Sequence, residues 1–104
     1  MAGRRAKRHR VRRHILVGFL GAGTRFTGDL VDLSRTGMLV RTPTELEPGA
    51  VGRAGIALKS ETLRSVVTVR RRVPQVGLAF EFTQMNQHDR ELLHSLLLRL
   101  AGES

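Results

Sequence analysis

From His14 to Phe82, apolar and polar positions alternate in short runs broken by Gly, Pro and polar corners. The first run, "HILVGFL" (14–20), is apolar almost throughout and rich in β-branched and aromatic residues. "GAGT" (21–24) makes a Gly-rich turn and "RFTGDLVDL" (25–33) resumes strand character, so the pair predicts a hairpin. A third strand, "MLVRT" (38–42), follows the polar corner "DLSRTG" (32–37). "PTELEPGAVG" (43–52) carries two Pro and two Gly without a period and reads as a loop. "RAGIALKS" (53–60) and "LRSVVTVRRR" (63–72) are the next two strands, with Val67 and Val69 alternating with Thr68 and Arg70. Pro74, in "VPQ" (73–75), cannot donate to a central ladder and turns the chain. In "VGLAFEF" (76–82), Val76, Leu78, Phe80 and Phe82 fall on one face and Gly77, Ala79 and Glu81 on the other.

The period then changes. "NQHDRELLHSLLLRLAG" opens with Asn86 as an N-cap and Asp89 in the first turn, where the helix dipole favours an acid. Leu93, Leu96, Leu97 and Leu100 form a stripe widened by Leu92, and Gly102 stands where a C-terminal cap belongs. The expected helix spans 86–101. Six short strands and one terminal helix predict a mostly β domain: a six-stranded antiparallel β-barrel, with the leucine stripe covering an opening or a face.

Charge adds a second feature. Residues 4–13, "RRAKRHRVRR", hold seven of the 18 Lys and Arg and none of the nine acids. Eleven basic and nine acidic residues remain elsewhere, a net of +2 against +9 for the whole chain. Like charges at this density repel one another and resist burial. The chain therefore divides into a flexible basic arm (1–13) and a barrel with its helix (14–104). Such an arm suits a polyanion, or serves as a solubilising tail. With no Cys there is no disulfide, thiolate metal site or Cys nucleophile. No apolar run reaches the roughly 18 to 20 residues that span a bilayer, and no hydrophobic segment follows the basic start. The expectation is a cytoplasmic protein without membrane insertion.

The corner "DLSRTG" can satisfy itself. Asp32 and Ser34 can accept from nearby backbone amides, and Gly37 can take a positive φ before the next strand. It can also present a carboxylate, a hydroxyl and open backbone at the barrel rim. A carboxylate pairs with the N–H donors of guanine, and a hydroxyl beside a glycine suits a sugar or phosphate edge. Other chemistries lack their parts. His9, His14, His88 and His94 are scattered and no acids cluster with them, so no metal site is expected. Ser34 has no placed His, "GFLGAG" (18–23) has no P-loop lysine, and no enzyme is expected. Four Phe are the whole aromatic complement, so there is no evident stacking platform and no DNA or RNA partner is expected. "RRR" (70–72) reads as a solvated strand end that can add to a basic rim.

An arginine-rich arm, a hairpin, D-x-S-x-x-G at the next strand corner and a closing helix together resemble the PilZ domain family. "VVTVRRRVPQVGLAFEF" is similar to that family's late strands and "NQHDRELLHSLL" to its terminal helix, so the resemblance runs from about residue 4 to 101. It implies a bacterial receptor for the second messenger cyclic di-GMP, without a cofactor or catalysis. It places Asp32, Ser34 and Gly37 against one side of the ligand. The family's arginine pair, R-x-x-x-R, is met by Arg4 and Arg8 and again by Arg8 and Arg12. With "RV" at Arg10 and Val11 as the strand junction, the outer position falls on Ala6 and Arg5 must substitute. The inner arginine is thus Arg10 or Arg8, and the outer one Arg5 or Arg4. A charged arm beside a polar barrel corner adds the expectation that ligand orders the arm over the barrel and so relays the signal to a downstream protein. The alternative is a protein-interaction adaptor of the same type that no longer binds the nucleotide.

Overall fold

The computed structural model describes residues 6–103. Along the chain run β1 (His9–Arg10), β2 (Leu16–Gly21), β3 (Thr24–Leu33), β4 (Gly37–Arg41), β5 (Val51–Ala57), β6 (Thr62–Val73), β7 (Gly77–Gln84) and α1 (Gln87–Gly102). Six of the strands close a ring in the order β2, β3, β4, β7, β6, β5 and back to β2, every pair antiparallel. This is the barrel the alternation predicts, and closure leaves its strands without a free edge. Ala22 and Gly23 both take positive φ in the two-residue β2–β3 turn, the backbone such a hairpin demands. β5 begins two residues earlier than expected. Gly52 reads locally as a loop residue, but it lies inside the barrel, where a Cβ would collide with the Phe19 ring.

Phe19 sits at the centre of the core. Its ring stacks on Phe26 at 5.2 Å and leans on Phe80 at 5.4 Å. Val17, Leu33, Met38, Val40, Ile56, Leu63, Val67, Val69 and Leu78 close round it, each at most 1% exposed. Burying side chains of this size stabilises the fold by about 1.5–3 kcal/mol each before the entropy of ordering is subtracted. α1 adds Leu93, Leu96 and Leu100 to the same core, with Leu92 and Leu97 packed at its margin. Asn86 caps the helix, its Oδ1 accepting from the Asp89 amide at 2.8 Å. Asp89 in turn accepts from the Arg64 amide at 3.0 Å and ties the helix start to β6. At the other end Gly102 is the last helical residue, not the cap. Glu103 takes that place and its N–H donates to the Leu100 carbonyl.

The described part of the arm departs from the expectation of a free, flexible segment. His9 pairs with Leu33 and Arg10 with Asp32 as β1. The Val11 amide donates to the Val31 carbonyl at 2.9 Å, and the Leu30 amide to the Ile15 carbonyl at 2.9 Å. The cause is the length of β3, which outruns β2 and offers unpaired backbone that the arm covers. Charge repulsion in the arm is relieved locally: Arg8 pairs with Asp32 and Arg13 with Glu103. No helix among the described residues is long and apolar enough to cross a membrane.

Candidate functional site

One hydroxyl holds the β3–β4 corner together. Ser34 is 1% exposed, and its Oγ accepts from the backbone amides of Thr36 at 3.1 Å and Gly37 at 3.2 Å. The Ser34 amide donates to the Gly37 carbonyl at 2.9 Å, which closes the turn. Ser34 therefore shapes the rim from beneath. Gly37 is required for a different reason from the one its sequence position suggests. It does not take a positive φ; it pairs with Glu81, and a Cβ there would collide with the Phe80 carbonyl. Asp32 accepts from a side chain instead of a nearby amide. The β3–β4 register slips between Leu30 and Asp32, so Leu30 and Leu33 both turn inward. Bulges of this kind re-aim a side chain. Asp32 is left partly exposed, and its Oδ1 accepts from Arg8 Nη1 at 2.6 Å.

A cavity of about 640 Å³ opens beside the corner, within the ~300–1,000 Å³ range of small-molecule sites. Ala6 and Arg8 of the arm form one wall, and Ser34 to Gly37 of the corner form the second. The third wall comes from Arg70 and Arg71 of β6 with Ala79, Phe80 and Glu81 of β7. A second register slip, between Val69 and Arg71, makes β6 present exposed arginines at 70, 71 and 72 in succession. Arg72 turns away towards Glu45 and Glu47, at 3.7 and 3.8 Å. Four guanidinium groups thus line the cavity: Arg8, Arg35, Arg70 and Arg71. The one carboxylate in its lining, Glu81, is held by Arg70 at 2.7 Å. A pocket with this charge balance attracts a compact polyanion, and planar arginine forks suit phosphates and guanine edges alike.

The structure brings Arg8, Ser34 and Gly37 to the cavity, and Asp32 joins them through Arg8. Arg10 goes elsewhere. It lines a cleft with Arg12 against Leu100 and Ala101 of α1. Arg4 and Arg5 lie outside the described residues. With Arg8 at the corner, the R-x-x-x-R spacing that ends there begins at Arg4. Arg70 and Arg71 belong to the "RRR" run whose sequence suggests a solvated strand end able to add to a basic rim, and here they form a cavity wall; Arg35 is the lining arginine that the sequence does not single out. Arg35 hides inside the D-x-S-x-x-G pattern, and the slip that delivers Arg70 and Arg71 has no local signal.

The sequence matches the family model of the PilZ domain over residues 3–99. Among solved structures, the chain is similar to the PilZ domain of CeSA from a cellulose-synthesizing bacterium. The TM-score is 0.69 at 25% identity, covering 89% of this chain and 98% of that one. It is also similar to the Bacillus subtilis inhibitor of motility (MotI/DgrA), with a TM-score of 0.77 at 17% identity, covering 98% of this chain and 53% of that one. A Legionella uncharacterized protein, Lpg0364, aligns with a TM-score of 0.61 at 18% identity over 93% of this chain and 96% of its own. At these identities the last two likenesses bear on the fold alone. No curated protein matches the sequence.

Proposed function

Because the chain belongs to the PilZ domain family, a family of cyclic di-GMP receptors that are binding domains and not enzymes, we propose that it binds cyclic di-GMP in the arginine-walled cavity at the β3–β4 corner. One observation carries this reading: Arg8, Arg35, Arg70 and Arg71, from three separate elements, converge on a corner held in shape by Ser34. The ligand's two phosphates would meet these guanidinium groups. Asp32 keeps the Arg8 fork aimed at the cavity mouth and offers its remaining acceptor capacity to guanine N–H donors. In the register that ends at Arg8, Arg4 is the outer arginine. His9 to Val11 are already paired with β3, so the segment that closes over the ligand is the one ahead of His9. Closure there changes the surface offered to a downstream protein.

Calorimetric titration of the full chain and of Arg8→Ala, Asp32→Ala and Arg10→Ala with cyclic di-GMP tests the assignment. Arg8→Ala and Asp32→Ala are each expected to weaken binding by about tenfold or more, since each breaks a charge-assisted contact. Arg10→Ala, which faces α1, is expected to change affinity by less than about threefold, a rim-charge effect. Circular dichroism controls for the fold. Full affinity in both Arg8→Ala and Asp32→Ala would sink the site. The competing reading, a PilZ adaptor without nucleotide, draws on Ala6. It lines the cavity in the position that the Arg10 register would give to the outer arginine, and it offers no charge there.

A further inference from the structure

β2 breaks the barrel's alternation. Its inward positions are buried Val17 and Phe19, but its outward positions, Leu16, Gly18 and Leu20, are apolar too. Leu16 is 44% and Leu20 53% exposed, and Val51 on neighbouring β5 is 54% exposed. A strand face turned to water ordinarily carries polar side chains. α1 leaves this face open, because it lies against β6 and β1.

The register shapes the face into a groove. Gly18 pairs with Gly55, so the middle of the surface has no side chains, while Leu20 stands in the adjacent row between Arg25 and Arg53. Arg64 lies across from Gly55 on β6. The resulting depression has a volume of about 750 Å³. Arg25, Arg53 and Arg64 stand on its rim, and among the described residues none of their side chains pairs with a carboxylate. Asp89 is the one acid in the lining. It is buried and already accepts from the Arg64 amide.

We infer that the outer face of β2, β5 and the first half of β6 is a docking surface for an acidic segment of a partner protein. The segment's apolar side chains fill the groove over Gly18 and Gly55, and its carboxylates meet Arg25, Arg53 and Arg64. The guanidinium rim supplies charge complementarity and bidentate partners for carboxylates. A second copy of this chain would set the same cations against each other. A lipid surface would leave the glycine floor unfilled, whereas a protruding side chain fits it. The groove and the nucleotide cavity lie towards opposite ends of β6, at Arg64 and at Arg70, so the two assignments stand or fall separately.

Random peptides displayed on phage, selected on the full chain without nucleotide, provide the test. The selected sequences are expected to be rich in Asp and Glu interspersed with large apolar residues. Synthetic versions should lose about tenfold or more in affinity with Gly18→Phe or Arg53→Glu, as central contacts do, and keep it with Asp32→Ala. Gly18→Phe fills the groove from its floor, where a Cβ meets no atom within 4 Å, and circular dichroism controls for the fold. The inference is overturned if the selected peptides bind Gly18→Phe as well as wild type, which would place them on the basic arm. A selection without acidic enrichment, or without any groove-dependent binder, also overturns it. So does binding of phosphatidylglycerol vesicles, but not of peptides, that Gly18→Phe abolishes.

Discussion

Ser34 spends its hydroxyl on the corner it belongs to. Its Oγ is buried and engaged by two backbone amides. Ser34→Ala leaves those N–H groups without their acceptor, at a cost of about 1–3 kcal/mol. The expected result is a lower urea midpoint with an unchanged slope. Nucleotide affinity should fall as well, because Arg35 and Gly37 lose their placement. A stability equal to wild type would show that the hydroxyl does not support the turn. The identities in D-x-S-x-x-G were readable from the sequence, but two of the reasons were not. Gly37 looks locally like a positive-φ residue, while its real constraint is the approach of Phe80 from more than forty positions away. Asp32 looks like a self-capping acid, while its partner is Arg8. Local pattern describes what a residue can do with its neighbours in sequence. It carries no information on which distant strand arrives beside it.

At the scale of elements, periodicity served well where it was long and uninterrupted. α1 keeps its Asn86 cap and its buried leucines, and β7 keeps Leu78 and Phe80 inside. It failed at the register slips near Val31 and Arg70, because a strict alternation of two has no place for an extra residue. Those slips are what aim Asp32 outward and bring two successive arginines to the cavity. The two-residue β1 was equally unreadable, since a run of basic residues carries no strand signal. The start of α1 holds a separate electrostatic contact. His88 lies in the first helical turn, where the dipole disfavours a cation, yet its Nε2 meets Glu61 at 2.8 Å. The hydrogen bond and the charge of Glu61, helped by Asp89 and Glu91, raise the His88 pKa above its ordinary 6.5. A raised folded-state value means that the contact stabilises most fully below pH 6.5 and fades as pH rises through the shifted pKa. A proton NMR titration should show the His88 ring titrating at lower pH in Glu61→Gln than in wild type. Identical midpoints would dismiss the pairing.

Over the whole molecule, the excess charge and the barrel are parts of one arrangement. The fold class was readable because the strand runs are punctuated by turn residues and most of them alternate, and a barrel is the way such strands dispose of their edges. Which strands close the ring was not readable, as β2 with β5 and β4 with β7 join segments far apart in sequence. Closure gathers four arginines at the corner cavity, where the arm, the D-L-S-R-T-G corner and the end of β6 meet. A cationic site of this kind is screened by salt, so specificity has to be judged near physiological ionic strength. The most direct measurement is therefore isothermal titration of the full chain with cyclic di-GMP at about 150 mM salt, with GTP as the control. Saturable binding at micromolar affinity or better, absent with GTP, is the predicted result. Absence of any heat with cyclic di-GMP, or equal binding of GTP, would contradict the cavity's assignment as a receptor site.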